Sequence, residues 1–164
     1  MSAPIRVLIV CTGNICRSPT AHAVLRHLIA EKGLEDRLEC DSAGTQAYHE
    51  GSPADARSQA TGERKGLDFS FHRARKVRSS DFEEFDWILG MDHSHMDWLR
   101  EHSSPGQRAQ LALFLEPIAD RGWKEMPDPY YGGPRGFETV LELCRKGSEA
   151  WLERWLGSSE KAVG

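Results

Sequence analysis

Two periodicities alternate along the chain. Residues 5–10 (IRVLIV) are almost wholly apolar, the pattern of a short strand buried on both faces of a parallel sheet. Residues 38–42 (LECDS), 86–91 (DWILGM) and 109–114 (AQLALF) predict three further strands. Helical spacing fills the intervals. Residues 19–32 carry Ala21, Val24, Leu25, Leu28 and Ile29 on one face, residues 53–65 predict a polar, surface-lying helix, and residues 94–102 a short one. The clearest pattern is the last, where Phe137, Val140, Leu141, Cys144, Trp151, Leu152 and Trp155 recur on one helical face. Strand alternating with helix predicts an α/β fold around a parallel sheet. No repeat and no linker divides the chain. Residues 115–136, rich in Pro and Gly, form the longest irregular stretch, and such a stretch in a small domain is either functional or disordered.

Composition narrows the picture. At 164 residues, with 39% hydrophobic and 28% charged positions, the chain has the make-up of one globular domain. A net charge of −4 argues against a general nucleic-acid or membrane-surface binder. No apolar run approaches the roughly 18 residues of a spanning helix. The N-terminal apolar run is short and lacks a cleavage pattern, so no signal peptide is expected. Cys11, Cys16, Cys40 and Cys144 form no C-x2-C pair, which predicts free thiols in a reducing, cytoplasmic setting and no bound metal or other cofactor. Cys40 and Cys144 fall on apolar patterns and are expected in the core.

Chemistry concentrates in Cys11-Thr12-Gly13-Asn14-Ile15-Cys16-Arg17-Ser18-Pro19, between the first strand and the first helix. In open α/β sheets ligands bind beyond the carboxyl ends of the strands, where Cys11 falls. Gly13 and Asn14 tolerate left-handed backbone angles, so the loop can curl and turn its N–H groups inward as an anion nest. Pro19 suits the first helical position, and the helix start adds partial positive charge. The nest and Arg17 favour a thiolate at Cys11. Arg17 offers a planar fork for two phosphoryl oxygens, and Ser18 a hydrogen bond to the sulfur. The spacing predicts attack by Cys11 on phosphorus and a cysteinyl-phosphate. Cys-x5-Arg alone would arise by chance about 0.4 times in such a composition, and about 0.03 times with Ser next to it. No G-x4-G-K-[ST] is present, which excludes a nucleotide P-loop.

Expelling an alkoxide or phenolate needs a proton donor. Asp128, in Met126-Pro127-Asp128-Pro129-Tyr130-Tyr131-Gly132-Gly133, is the candidate, although the stretch reads equally well as an Asp-Pro turn. Cys16, five positions after Cys11, either traps an oxidised Cys11 as a disulfide or packs under the loop.

C-T-G-N-I-C-R-S-P, D-S-A-G-T at 41–45, G-M-D at 90–92 and D-P-Y-Y-G at 128–132 resemble, in order and over nearly the whole chain, the low-molecular-weight protein tyrosine phosphatases. The resemblance implies a single domain with a four-stranded, twisted parallel sheet and helices on both faces, here taken as residues 1–157 with a tail at 158–164. It implies a metal-free, two-step hydrolysis of protein phosphotyrosine and small aryl phosphates, with Cys11 as nucleophile, Arg17 as phosphate clamp and Asp128 as general acid, then base. Thr12, Gly13, Asn14, Ile15, Cys16 and Ser18 would complete the phosphate-binding loop. Asn14, Ser18, Ser42 and His72 would hold that loop in shape, with Asp92 nearby, and Ile15, Tyr48, Tyr130 and Tyr131 would form a rim for the phosphotyrosine ring. Redox protection of Cys11 by Cys16 also follows from the resemblance. Partners would be tyrosine-phosphorylated proteins and a cognate tyrosine kinase, with the enzyme a monomer or weak dimer.

By residue type alone the second set also has ordinary readings: His72 a surface histidine, Ser42 a strand-end cap, Asp92 a helix N-terminal residue, Tyr48 an exposed loop aromatic. Three other functions share the loop or the fold. A thioredoxin-linked arsenate reductase needs a further cysteine pair for its disulfide relay, and Cys40 and Cys144 are far apart in sequence. An arginine phosphatase resembles the same fold with a threonine at the position of Ile15, where an isoleucine favours an aromatic ring. A non-catalytic phosphotyrosine-binding module would need neither a thiolate nor Asp128.

Overall fold

The computed structural model describes residues 3–129 and 133–157; Tyr130, Tyr131 and the tail at 158–164 lie outside them. Strands β1 (Ile5–Cys11), β2 (Leu38–Gly44), β3 (Trp87–Gly90) and β4 (Gln110–Leu113) form one parallel sheet in the order β2-β1-β3-β4. Helices α1 (Arg17–Glu31), α2 (Ala56–Glu63), α3 (Asp81–Glu84), α4 (His93–His102) and α5 (Pro134–Leu156) connect and cover it.

Central strand β1 explains its own composition. Val7, Ile9 and Cys11 face a core shared with α1 and α5, through Val24, Leu25, Leu28, Val140, Cys144 and Trp151. Leu8 and Val10 face a second core with Phe82, Phe85, Met96 and Leu99. From Val7 to Cys11 alternate side chains thus enter opposite cores, so each of these positions must be apolar.

The expected elements are all present, with three corrections. Helix α1 begins at Arg17, two residues before Pro19. Proline is tolerated here because the first four N–H groups of a helix have no intrahelical partner. Part of the stretch read as irregular, Glu116–Arg121, is a 3-10 segment, and the four-residue α3 was not expected; elements this short carry no periodicity to read. Cys40 is only half-buried on β2, whereas Cys144 is fully buried. Helix α2 is polar as expected, yet it buries Ser58, Thr61 and Gly62.

Candidate active site

Strand order reverses between β1 and β3, because β1 connects outward to β2 and the chain then returns to the far side of β1. Crevices in such sheets open beyond the carboxyl ends of the strands at this reversal. Cys11 is the last residue of β1, and the loop that follows leads straight into α1. No side chain caps the N-terminus of α1, so its free N–H groups and partial positive charge face the loop.

Asn14 gives the loop its curl. It is the one non-glycine residue with positive φ among the described residues, at 58°. Asparagine tolerates this conformation better than most residues. Its fully buried side chain is held at every polar atom. Nδ2 donates to Ser18 Oγ at 2.9 Å and to Ser42 Oγ at 3.1 Å, while Oδ1 accepts from the backbone N–H of Arg75 at 3.0 Å. The Asn14 carbonyl accepts from His72 Nε2 at 2.7 Å. Burial lowers the pKa of His72 below the ordinary histidine value, so the neutral ring serves as the donor.

These bonds orient the hydroxyl next to the sulfur. Ser18 Oγ lies 3.0 Å from Cys11 Sγ, and both are buried. Ser18 Oγ accepts from Asn14 and keeps its own proton to give; a sulfur in the thiolate form can only accept, so that proton then goes to Cys11. That is the polarity a thiolate needs.

Gly13 corrects an expectation, since its φ is not positive. It is small for another reason: a Cβ there would come within 2.9 Å of the His49 ring. Gly44, the glycine of D-S-A-G-T, has a stronger steric requirement. A Cβ on it would lie 2.5 Å from the Thr12 carbonyl oxygen, so only glycine lets β2 pass this close to the loop. Thr45 and Gln46 then donate their N–H groups to the carbonyls of Cys11 and Thr12.

Arg17 is nearly buried, and among the described residues its side chain is held through Nη1. Its Nη1 donates to Asp92 Oδ2 at 2.8 Å and to the Met126 carbonyl at 3.1 Å. Nη1 has two hydrogens for these two bonds, and among the described residues the Nε and Nη2 hydrogens are left to meet an oxyanion by a planar fork. Asp92 combines two of its readings. It caps α4, accepting from His95 N and Ser94 Oγ through Oδ1, while Oδ2 anchors Arg17. Burial alone would raise its pKa; hydrogen bonds from Ser94 and Arg17 outweigh burial and bring it down to about 2.

Sequence reasoning missed two histidines. His95 Nδ1 accepts from the Asp92 N–H at 3.1 Å, which puts the ring proton on Nε2, 2.9 Å from Thr12 Oγ1. His95 thus ties the loop to the helix that carries Asp92. Burial pulls its pKa down to about 4, against the opposing pull of Asp92. His22, on α1, contacts Ser42 Oγ through Nδ1 at 3.0 Å. Neither lies in a motif; the only signal for His22 is its place among apolar α1 residues, and for His95 its place three residues after Asp92.

The segment bearing Asp128 is fastened beside Arg17. Met126 donates its N–H to the Met91 carbonyl and lends its own carbonyl to Arg17, and Glu125 accepts from the N–H of His93. Asp128 is exposed two residues further on, near enough to His95 to favour its protonated form. Tyr48 is 74% exposed, and Ile15 is half-buried on the loop. Cys16 is buried at the start of α1, and no disulfide joins any of the four cysteines. The structure therefore brings together Cys11, Asn14, Arg17, Ser18, Ser42, His72 and Asp92.

Known proteins share this fold. A family model described as low molecular weight phosphotyrosine protein phosphatase matches residues 6–161. The chain is 39% identical over 148 residues to the low molecular weight protein-tyrosine-phosphatase YfkJ of Bacillus subtilis, covering 90% of this chain and 94% of that one. The crystal structure of a protein tyrosine phosphatase from Entamoeba histolytica superposes with a TM-score of 0.88 at 35% identity, covering 94% of this chain and 99% of that one. The Drosophila arginine phosphatase DARP superposes with a TM-score of 0.86 at 31% identity, covering 92% and 98%.

Proposed function

The chain belongs to the low molecular weight phosphotyrosine protein phosphatases, and from that premise we propose that it hydrolyses phosphotyrosine in proteins, and small aryl phosphates, through a phosphocysteine. In the first step the Cys11 thiolate attacks phosphorus in line with the ester oxygen. The S–P bond forms, the P–O bond breaks, and Asp128 gives its proton to the departing phenolate. Arg17, through Nε and Nη2, and the loop N–H groups hold the three equatorial oxygens. In the second step Asp128, now a carboxylate, takes a proton from water as the water oxygen bonds to phosphorus. The S–P electron pair returns to Cys11 and inorganic phosphate leaves.

The observation that supports this reading best is the hydrogen-bond contact of Ser18 Oγ with Cys11 Sγ at 3.0 Å, with Ser18 held in place by Asn14. A hydroxyl aimed at a buried sulfur stabilises a thiolate, both as nucleophile and as leaving group. The half-buried Ile15 and exposed Tyr48 offer apolar contact to an aromatic ring. Cys16 serves as the trap for an oxidised Cys11, in keeping with a reducing, cytoplasmic setting where the disulfide can be reopened. After a peroxide pulse and dithiothreitol, wild type is expected to recover activity and Cys16→Ser to recover far less; equal recovery removes Cys16 from that role.

Hydrolysis of p-nitrophenyl phosphate and of a phosphotyrosine peptide by wild type, with none by Cys11→Ser, is the expected result. Likeness to an arginine phosphatase gives the rival a specific basis. A phosphoarginine peptide in the same assay decides it: preference for phosphoarginine would overturn the phosphotyrosine assignment.

A further inference from the structure

His22 is a buried titratable residue that the two-step reaction does not use. It projects from α1 with 5% of its surface exposed, its ring 4.5 Å from that of Phe71. Its Nδ1 lies 3.0 Å from Ser42 Oγ. Burial keeps the ring neutral, with the pKa lowered to about 4. Ser42 Oγ accepts from Asn14 Nδ2 at 3.1 Å and has its own proton to give to a neutral ring whose Nδ1 accepts. The same Asn14 Nδ2 donates to Ser18 Oγ, which lies 3.0 Å from the Cys11 sulfur.

We propose that His22 is a positioning residue for the reaction: by accepting the Ser42 proton at Nδ1 it holds the hydroxyl that anchors Asn14 Nδ2, and Asn14 in turn holds Ser18 beside the sulfur. Were Nδ1 protonated, Ser42 would receive hydrogen bonds from both sides and its own proton would have no acceptor in this chain. Burial is the largest influence on the ring; with His72 and Arg26 it outweighs the opposing charge of Asp41 on β2, and the pKa falls to about 4.

The inference rests on Cys11 being the nucleophile, and the test separates the two. His22→Leu removes the acceptor; His22→Asn puts an amide oxygen close to the position of Nδ1. With p-nitrophenyl phosphate at pH 6, His22→Leu is expected to lose about tenfold in kcat, the worth of one buried hydrogen bond. KM should stay within about twofold, and the acid limb of the kcat/KM profile should move to higher pH. His22→Asn should restore most of the rate and the wild-type limb. Because His22→Leu strands a buried hydroxyl and can fail to fold, Ser42→Ala and the double variant His22→Leu/Ser42→Ala are measured beside it. The double variant should be no slower than Ser42→Ala, since both break one link. Unchanged profiles in the folded variants, a failure of His22→Asn to rescue, or losses that multiply in the double variant would overturn the role of His22 while leaving phosphatase activity in place. A wild type without activity would instead overturn the proposed function.

Discussion

Arg17 and Asp92 show how one side chain can serve two ends. A carboxylate that caps a helix with one oxygen can hold a guanidinium with the other, so the orientation of Arg17 depends on where α4 begins. Asp92→Ala should cut kcat/KM for aryl phosphates by up to about 100-fold, because a clamp displaced by an ångström loses its alignment. Steady-state kinetics check this, and a loss under about twofold would mean that the Met126 carbonyl alone suffices to place Arg17. Gly44→Ala should destabilise the fold by about 1–3 kcal/mol, since the methyl group collides with the Thr12 carbonyl and backbone must move. Urea denaturation measures it; an unchanged midpoint contradicts the steric account. The residues proposed to react stand out in the sequence because their chemistry demands fixed types at fixed spacing. The residues that hold them stand out less. His22 and His95 act through contacts 20 and 83 positions away in sequence, and no local pattern encodes those. Gly13 was read for its backbone freedom but is needed for space beneath His49, which sequence does not display.

Strands and long helices were legible wherever a hydrophobic period ran for several residues, as in β1 and α5. Ends and short turns were not, since capping geometry rather than periodicity sets them, as at Arg17 and in α3. Helix α4 matters most at this scale: its capping box ties Asp92 to His95, and His95 ties both to Thr12. Its histidine is held neutral, with a pKa lowered from 6.5 to about 4, and His22 on α1 shifts by the same amount. The unfolded chain therefore binds more protons than the folded one across this range, and stability falls as pH drops. Their contribution is fully present above pH 6.5 and is lost progressively as the pH falls towards 4. Melting temperature should decline over that window, and His95→Asn should flatten the decline. A melting curve independent of pH between 7 and 4 would contradict the assignment of neutral, buried rings.

For the whole molecule, the strand order β2-β1-β3-β4 places the end of β1 at the reversal of the sheet, and two cores clamp that strand from both faces. Stability and chemistry are thus separable. Trp151, fully buried with its Nε1 donating to the Phe114 carbonyl, serves the α5 core alone. Trp151→Ala should cost about 3–5 kcal/mol of stability, while kcat at a temperature where the variant is folded stays within about twofold of wild type. The proposed reaction depends on one covalent event, a bond between phosphorus and the sulfur of Cys11. The direct test is acid quenching of the Asp128→Ala enzyme during turnover of p-nitrophenyl phosphate, followed by digestion and mass spectrometry. One phosphoryl group on the peptide containing Cys11, absent from Cys11→Ser, is the predicted result. Turnover with no phosphorylated peptide, or with the phosphoryl group on any other residue, would contradict the account.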